Sequence, residues 1–255
     1  MADVPILEFD PDRRAIIEPH DWHSPIEGIA RRAVITWMRD VFDDLVEQST
    51  VVERHRFVAE SADIPIWETV VDGTPLVLVR SDIGGSVSAG VLEVLIAIGC
   101  DTFVAVGSSG GLTDQYPPST VVVPDATIRD EGVSYHYLPP RRTVAQDVSV
   151  QNALRRSLDT AGLAHTSGSL WTTDALFRET PAKVSARIDE GAVAVDMEAA
   201  SLAAVAQFRN VRLGHAVYIA DTLHGDEWDP TALVMPDRAF RRSLLDAAIQ
   251  ACIAV

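Results

Sequence analysis

Residues 102–112 read TFVAVGSSGGL: five strand-forming residues run straight into a cluster of three glycines and two serines. Three readings are open for the glycine cluster. It is a nucleophile elbow carried by Ser109, a cradle of successive N–H groups for an anion or a sugar hydroxyl, or a tight turn beyond a strand. The first satisfies G-x-S-x-G in letter only, because that motif needs a helix directly after the serine. Here LTDQYPPST (112–120) follows, and Pro117-Pro118 makes it a loop. No Gly-Lys-Ser/Thr follows, which excludes a Walker loop. Cradle and turn are separated only by what lies around them.

Working outward, RRAVITW (31–37) predicts a strand and MRDVFDDLVEQ (38–48) a helix, with Val41, Phe42, Leu45 and Val46 at helical spacing. IWETVVDGTPLVLVR (66–80) predicts two strands about the hairpin dipeptide Asp72-Gly73, and SAGVLEVLIAIGC (88–100) an apolar helix stopped at Gly99. Beyond the glycines, TVVVPDATI (120–128) predicts strand, 129–142 a loop, 149–162 a helix, and HTSGSLWTT (165–173) an extended segment. Then come a helix over 181–191, a strand over AVAV (192–195), a helix over DMEAASLAAVAQF (196–208), a strand over VRLGHAVYIAD (211–221) and a closing amphipathic helix over 238–255. Strands and helices alternate and several strands are apolar on both faces. The expectation is an α/β fold, a single domain over 1–255 with a mixed sheet covered by helices. Residues 1–30 read as an irregular arm in which EFDPDRRAIIEP (8–19) adds a short edge strand.

The 255 residues are 47% hydrophobic, enough for a large core, and carry a formal net charge of −16. Such a field repels phosphate backbones and anionic lipid surfaces, so neither a nucleic-acid nor a membrane partner is expected. A small anionic substrate would have to be drawn in by local arginines or backbone N–H groups. No apolar run reaches membrane-spanning length and the acidic start lacks the parts of a signal peptide, so a soluble cytoplasmic protein is expected. Cys100 and Cys252, the two cysteines, sit in apolar runs and are expected as buried thiols. No set of His, Asp and Glu has metal-ligand spacing, and no metal is expected.

Six segments in order, SDIGGSVSAGVLEVLIAIGC, FVAVGSSGGL, IRDEGVSYHY, TTDALFRET, AVAVDMEAASLAAVA and YIADTLHGDEW, resemble the nucleoside phosphorylase family, which includes purine nucleoside and uridine phosphorylases and related nucleosidases. The resemblance covers roughly residues 75–230, and VDMEAA followed by Asp221 at a strand end is its most specific part. It implies cleavage of the N-glycosidic bond of a nucleoside. Phosphorolysis to free base and ribose 1-phosphate, with phosphate as co-substrate and no other cofactor, stands ahead of hydrolysis by water. A nucleoside-binding protein without turnover is the competing class, and an esterase a distant third.

Such cleavage needs a grip on the sugar hydroxyls, a proton donor for the leaving base and a placed nucleophile on the opposite face. By resemblance, Glu198 holds the ribose hydroxyls with Met197 packed on the sugar, and Asp221 assists a purine leaving group. The residue-level alternatives are that Asp196 caps the helix while Glu198 complements its dipole, and that Asp221 bonds its own turn. Thr173, Leu176 and Phe177 lie in the base-facing segment, Leu176 where the family usually has an aromatic. The Gln-x-Arg pair that reads uracil is unmatched, Thr180 and Ala182 standing near it, so a purine is preferred.

The nucleophile side departs most. The family's loop arginine is replaced by Ala105, and its Gly-Asp-Pro-x-Arg turn by TWMRDV. Gly84, Gly107 and Ser108 remain as phosphate ligands, with Arg80 as a possible substitute and Arg54 or Arg56 reaching a neighbouring subunit's site in a homo-oligomer. Nucleosidases of the family use an acidic residue near the first strand to position water, and Asp40 lies near there. His136, His20 or His23 are candidates for the sugar 5′-hydroxyl.

Overall fold

The glycine stretch is not a loop. In the computed structural model, which describes residues 4–60, 63–224 and 228–255, the strand β5 runs through it from Thr102–Gly111. The chain continues past Gly107 in extended form because neighbours on both sides keep pairing with it. β12 (Arg212–Thr222) follows it in parallel along its whole length. On the other side β1 (Arg32–Thr36) pairs with residues 102–106, and β11 (Ala192–Asp196) then takes over antiparallel at Gly110 and Gly111. The glycines permit this close crossing: a Cβ on Gly111 would lie 2.9 Å from Ile219 Cγ2.

The remaining strands are β2 (Val52–Val58), β3 (Asp63–Val71), β4 (Thr74–Arg80), β6 (Val121–Val122), β7 (Ala126–Asp130), β8 (Thr143–Ala145), β9 (His165–Thr166) and β10 (Ser169–Thr173). The main path of the sheet is β2-β3-β4-β1-β5-β11-β10-β7-β8, with β12 joining β5 to β6 and β6 pairing β9. β3 and β4 form the expected hairpin, with Asp72 and Gly73 both at positive φ as a two-residue turn of this hand requires.

One face is covered by α2 (Arg39–Gln48), α5 (Val148–Ala161) and α9 (Arg238–Ile253), which bury Phe42, Leu154 and Leu244 against Val34, Val104 and Ala216. The other is covered by α3 (Gly85–Ile98) and α7 (Ala199–Arg209), which bury Leu92, Leu95, Leu202 and Val205 against Ile35, Phe103 and Leu213. Each large aliphatic side chain so enclosed contributes on the order of 1.5–3 kcal/mol. Local signals set the ends: Asp147 caps α5 by accepting from the N–H groups of Ser149 and Val150, and left-handed Gly162 stops it. Cys100 and Cys252 are free and buried. Among the described residues no helix is long and apolar enough to cross a membrane.

Three expectations are corrected. Residues 8–19 form no strand; they run as an irregular segment that leads into the short α1 (Pro19–Trp22). β2 was not foreseen, because VERHRFV is charged; it is an edge strand, where charges are tolerated and discourage pairing with another chain. The stretch 129–142 is not all loop: it holds the end of β7 and the one-turn α4 (Ser134–Tyr137), and β8 follows directly after it.

Candidate active site

Several of these elements end around one cavity of about 430 Å³. β5 supplies Gly107 and Ser108, the end of β12 supplies Asp221, and the β11–α7 junction supplies Met197 and Glu198. Leu176 and Phe177 stand at its mouth on a single 3-10 turn, Leu176–Arg178, with Phe177 almost fully exposed.

Asp196, Met197 and Glu198 precede α7 rather than forming its first turn, since the helix begins at Ala199. Asp196 caps it, accepting from the N–H groups of Glu198 (3.1 Å) and Ala199 (2.7 Å), and is held in turn by the Thr172 hydroxyl at 2.6 Å. Glu198 is thereby freed from its own helix and points across to α3, where its Oε1 accepts the N–H of Gly84 at 2.7 Å. Both carboxyls are buried, which pushes their pKa values up, and the charge of Asp196 pushes Glu198 further. Gly84 thus meets the cavity through Glu198; its φ of 112° is one that side chains rarely adopt.

Asp221 is half-buried, and burial raises its pKa; the opposing influence is the indole N–H of Trp228, which donates to its Oδ2 at 2.6 Å. A second carboxyl, Glu179, lines the same end of the cavity and is pushed up to about 7, first by burial and then by Asp221. A carboxyl that keeps its proton near neutrality can hand it to a leaving group.

The nucleophile side differs from the sequence expectation. The ring of Trp37 lies against Gly107, where a Cβ would come within 2.9 Å of it, and stacks on His215 with centroids 5.7 Å apart. Its N–H donates to the Asp82 carbonyl at 3.0 Å. His215 is fully buried, lines the cavity, and has no hydrogen-bond partner at either ring nitrogen. Asp196 Oδ2 lies 3.9 Å from its Nε2.

Other candidates lie elsewhere. Arg54 pairs with Glu68, Arg56 with Glu53 and Asp63, and Arg80 with Asp43, and none of the three lines this cavity. Asp40 is engaged by Arg241 and Arg238. Thr173 is buried and accepts from the Ala175 N–H instead of facing the cavity. Ser109 does line the cavity, but it donates to the Tyr218 carbonyl at 3.1 Å, an arrangement without an activating base. His23 contacts His55 and, like His136, borders a different cavity beneath the N-terminal arm; His20 is exposed.

Trp37, Glu179, His215 and Trp228 were missed. Trp37 stood in the segment read only for its missing arginine, and Glu179 in the segment read for aromatics. His215 did leave a signal, a polar residue inside the apolar strand GHAVYIA. Among the described residues, no group of three or more His, Cys, Asp or Glu is arranged to hold a metal ion.

The family model described as Phosphorylase superfamily matches residues 31–253. Uridine phosphorylase of Treponema pallidum (strain Nichols) is 30% identical over 57% of this chain and 61% of its own length. Guanosine phosphorylase of Halorubrum lacusprofundi is 26% identical over 62% of this chain and 65% of its own. The chain therefore spans about three fifths of the length of these relatives. Among solved structures, uridine phosphorylase from Vibrio fischeri ES114 superposes with a TM-score of 0.74 at 18% identity, covering 94% of this chain and 97% of that one. AMP nucleosidase from Bacteroides thetaiotaomicron VPI-5482 superposes with a TM-score of 0.70 at 22% identity, covering 89% of each. With a model matched over most of its length and the same sheet beneath it, the chain belongs to the phosphorylase superfamily, as a nucleoside phosphorylase family member.

Proposed function

We propose that the chain cleaves the N-glycosidic bond of a nucleoside, with a purine as the preferred base. The observation that carries this reading is the placement of a ribose-holding and a base-side carboxyl, Glu198 and Asp221, on one cavity of nucleoside size. In the transition state positive charge develops on the sugar and negative charge on the base. Glu198, fixed by Gly84, holds the hydroxyls, while Asp221 and its neighbour Glu179 supply protons or hydrogen bonds to the base. A protonated carboxyl at the base end suits the imidazole nitrogen of a purine, which takes up the proton as the bond breaks, and no arginine stands in the described cavity lining to read the carbonyls of uracil.

Water is the acceptor that the cavity of one chain supports better, because its described lining has four carboxyl groups and no lysine or arginine. Phosphorolysis to ribose 1-phosphate is the second reading. It is favoured by Ser108 in the cavity and by the names of the curated relatives, and it needs cations such as Arg54 or Arg56 from a neighbouring copy in a homo-oligomer. Chromatography of purine and pyrimidine nucleosides incubated with the protein, with and without phosphate, tests the reading. Release of free base supports it, and absence of base from every nucleoside removes it.

A further inference from the structure

The unpartnered His215 imidazole, beneath the Trp37 ring at one end of the cavity, is a polar group that the cleavage chemistry described above leaves unused. Four observations bear on it. It is fully buried yet is one of the residues that line the cavity, and neither ring nitrogen has a hydrogen-bond partner, so a water seated at that end would meet an unpaired imidazole. Leaving such a group unsatisfied is costly, which favours occupancy. Trp37 is fixed over it, stacked at 26° and anchored through its N–H to the Asp82 carbonyl, with the Ser88 hydroxyl 3.3 Å away. The ring also fills the space above Gly107 that an anion would use to reach that backbone. Lastly, the Asp196 carboxyl borders the same cavity and the described lining has no lysine or arginine, so a dianion placed here would meet like charge without a compensating cation beside it.

We propose that His215 is a catalytic residue that holds the attacking water, so that the sugar is transferred to water. The proposal rests on the nucleoside-cleavage reading. The water oxygen forms a bond to the anomeric carbon, and the carbon–nitrogen bond breaks with its electron pair leaving on the base. The Asp221 carboxyl gives the base its proton. The attacking water, made acidic once its oxygen is bonded to carbon, gives its proton to the imidazole, beside which the Asp196 carboxylate stabilises the resulting cation. That proton passes to solvent and Asp221 recovers one, so nucleoside and water become free base and free ribose. Burial holds the imidazole neutral, at a pKa of about 3, which leaves a nitrogen lone pair available to the water. Trp37 is a positioning residue: it keeps the imidazole turned to the cavity and leaves no room beside Gly107 for an acceptor as large as phosphate.

The experiment follows sugar products from a panel of purine and pyrimidine nucleosides, with and without phosphate, and with methanol as a competing neutral acceptor. The expected result is free ribose at a rate indifferent to phosphate, with methyl riboside appearing in proportion to methanol. His215→Gln, which keeps polarity but cannot take up a proton, is expected to lower kcat by roughly 100-fold while KM changes less than about threefold. Ribose 1-phosphate, formed at a rate that saturates with phosphate, overturns the assignment while leaving nucleoside cleavage standing. So does a His215→Gln protein with undiminished kcat. If no nucleoside yields base, both readings fall. The wild-type product assay decides the acceptor even if the buried substitution prevents folding.

Discussion

The Glu198 carboxylate and the Gly84 N–H meet at 2.7 Å, tying the residue that precedes α7 to the residue that precedes α3. The acid proposed to hold the sugar is thus set by the relative position of two helices rather than by its own rotamer. Glu198→Ala should lower kcat/KM by about 10²–10³, equivalent to ~3–4 kcal/mol of transition-state stabilisation, measured as base release from the best nucleoside. Gly84→Ala should also lose activity, since φ of 112° strains any side chain there although the space is open.

Asp221 and Trp228 make a separable pair. Asp221→Asn should cut kcat by ~10²–10⁴ with nucleoside binding retained, as equilibrium dialysis would report. Trp228→Phe removes the hydrogen bond that favours the carboxylate, so the pKa of Asp221 should rise further. The alkaline limb of the kcat/KM profile should then move to higher pH, the opposite of what loss of an acid group gives.

Gly107 faces the Trp37 ring. Gly107→Ala should destabilise the fold by about 1–3 kcal/mol, because the new methyl would stand 2.9 Å from a ring held by its hydrogen bond to the Asp82 carbonyl. Combining it with Trp37→Leu should recover much of that loss, giving a favourable coupling energy in a double-mutant cycle read by urea denaturation.

Stability should depend on pH through two opposed sets of groups. Glu179 is raised from 4.5 to about 7, so the folded chain binds the extra proton and its stabilising effect is lost as pH rises through that window. His215 is lowered from 6.5 to about 3, so its effect is present above 6.5 and is lost as pH falls towards 3. Glu179→Gln abolishes the first dependence. Its Tm relative to the parent should move in the variant's favour between pH 4.5 and pH 8, as differential scanning calorimetry at stepped pH would record.

The alternation of apolar strands and helices made the sheet and its covering helices legible, because the 3.6 and 2 periods are local properties of the chain. Asp221 and Glu198 were legible as candidates because each follows a strand recognisable by its apolar run. What local reading missed depends on contacts between distant segments. Nothing in GSSGG says that β11 and β12 will both pair with it and keep it extended. Trp37 carries no signal within TWMRDV; its part in the cavity comes from the ring lying against Gly107, seventy positions away. The arginines Arg54, Arg56 and Arg80 carried the right charge, but within one chain their carboxylate partners Glu68, Glu53 and Asp43 claim them.

β5 also acts as a ruler. Gly107 marks the end of the cavity where Trp37 and His215 stand, and Gly110 marks the end where Asp221 and Leu223 stand, with a Cβ on Gly110 falling 3.5 Å from Asp221 Oδ1. Three steps of about 3.3 Å separate them, so the spacing between the two ends of the cavity is set near 10 Å by covalent geometry and not by side-chain packing. Loosening the core around β5 would alter how firmly the ruler is held but not its graduation. Inserting or deleting one residue between 107 and 110 would reverse which face each later side chain presents and move the Asp221 end out of register with its partner.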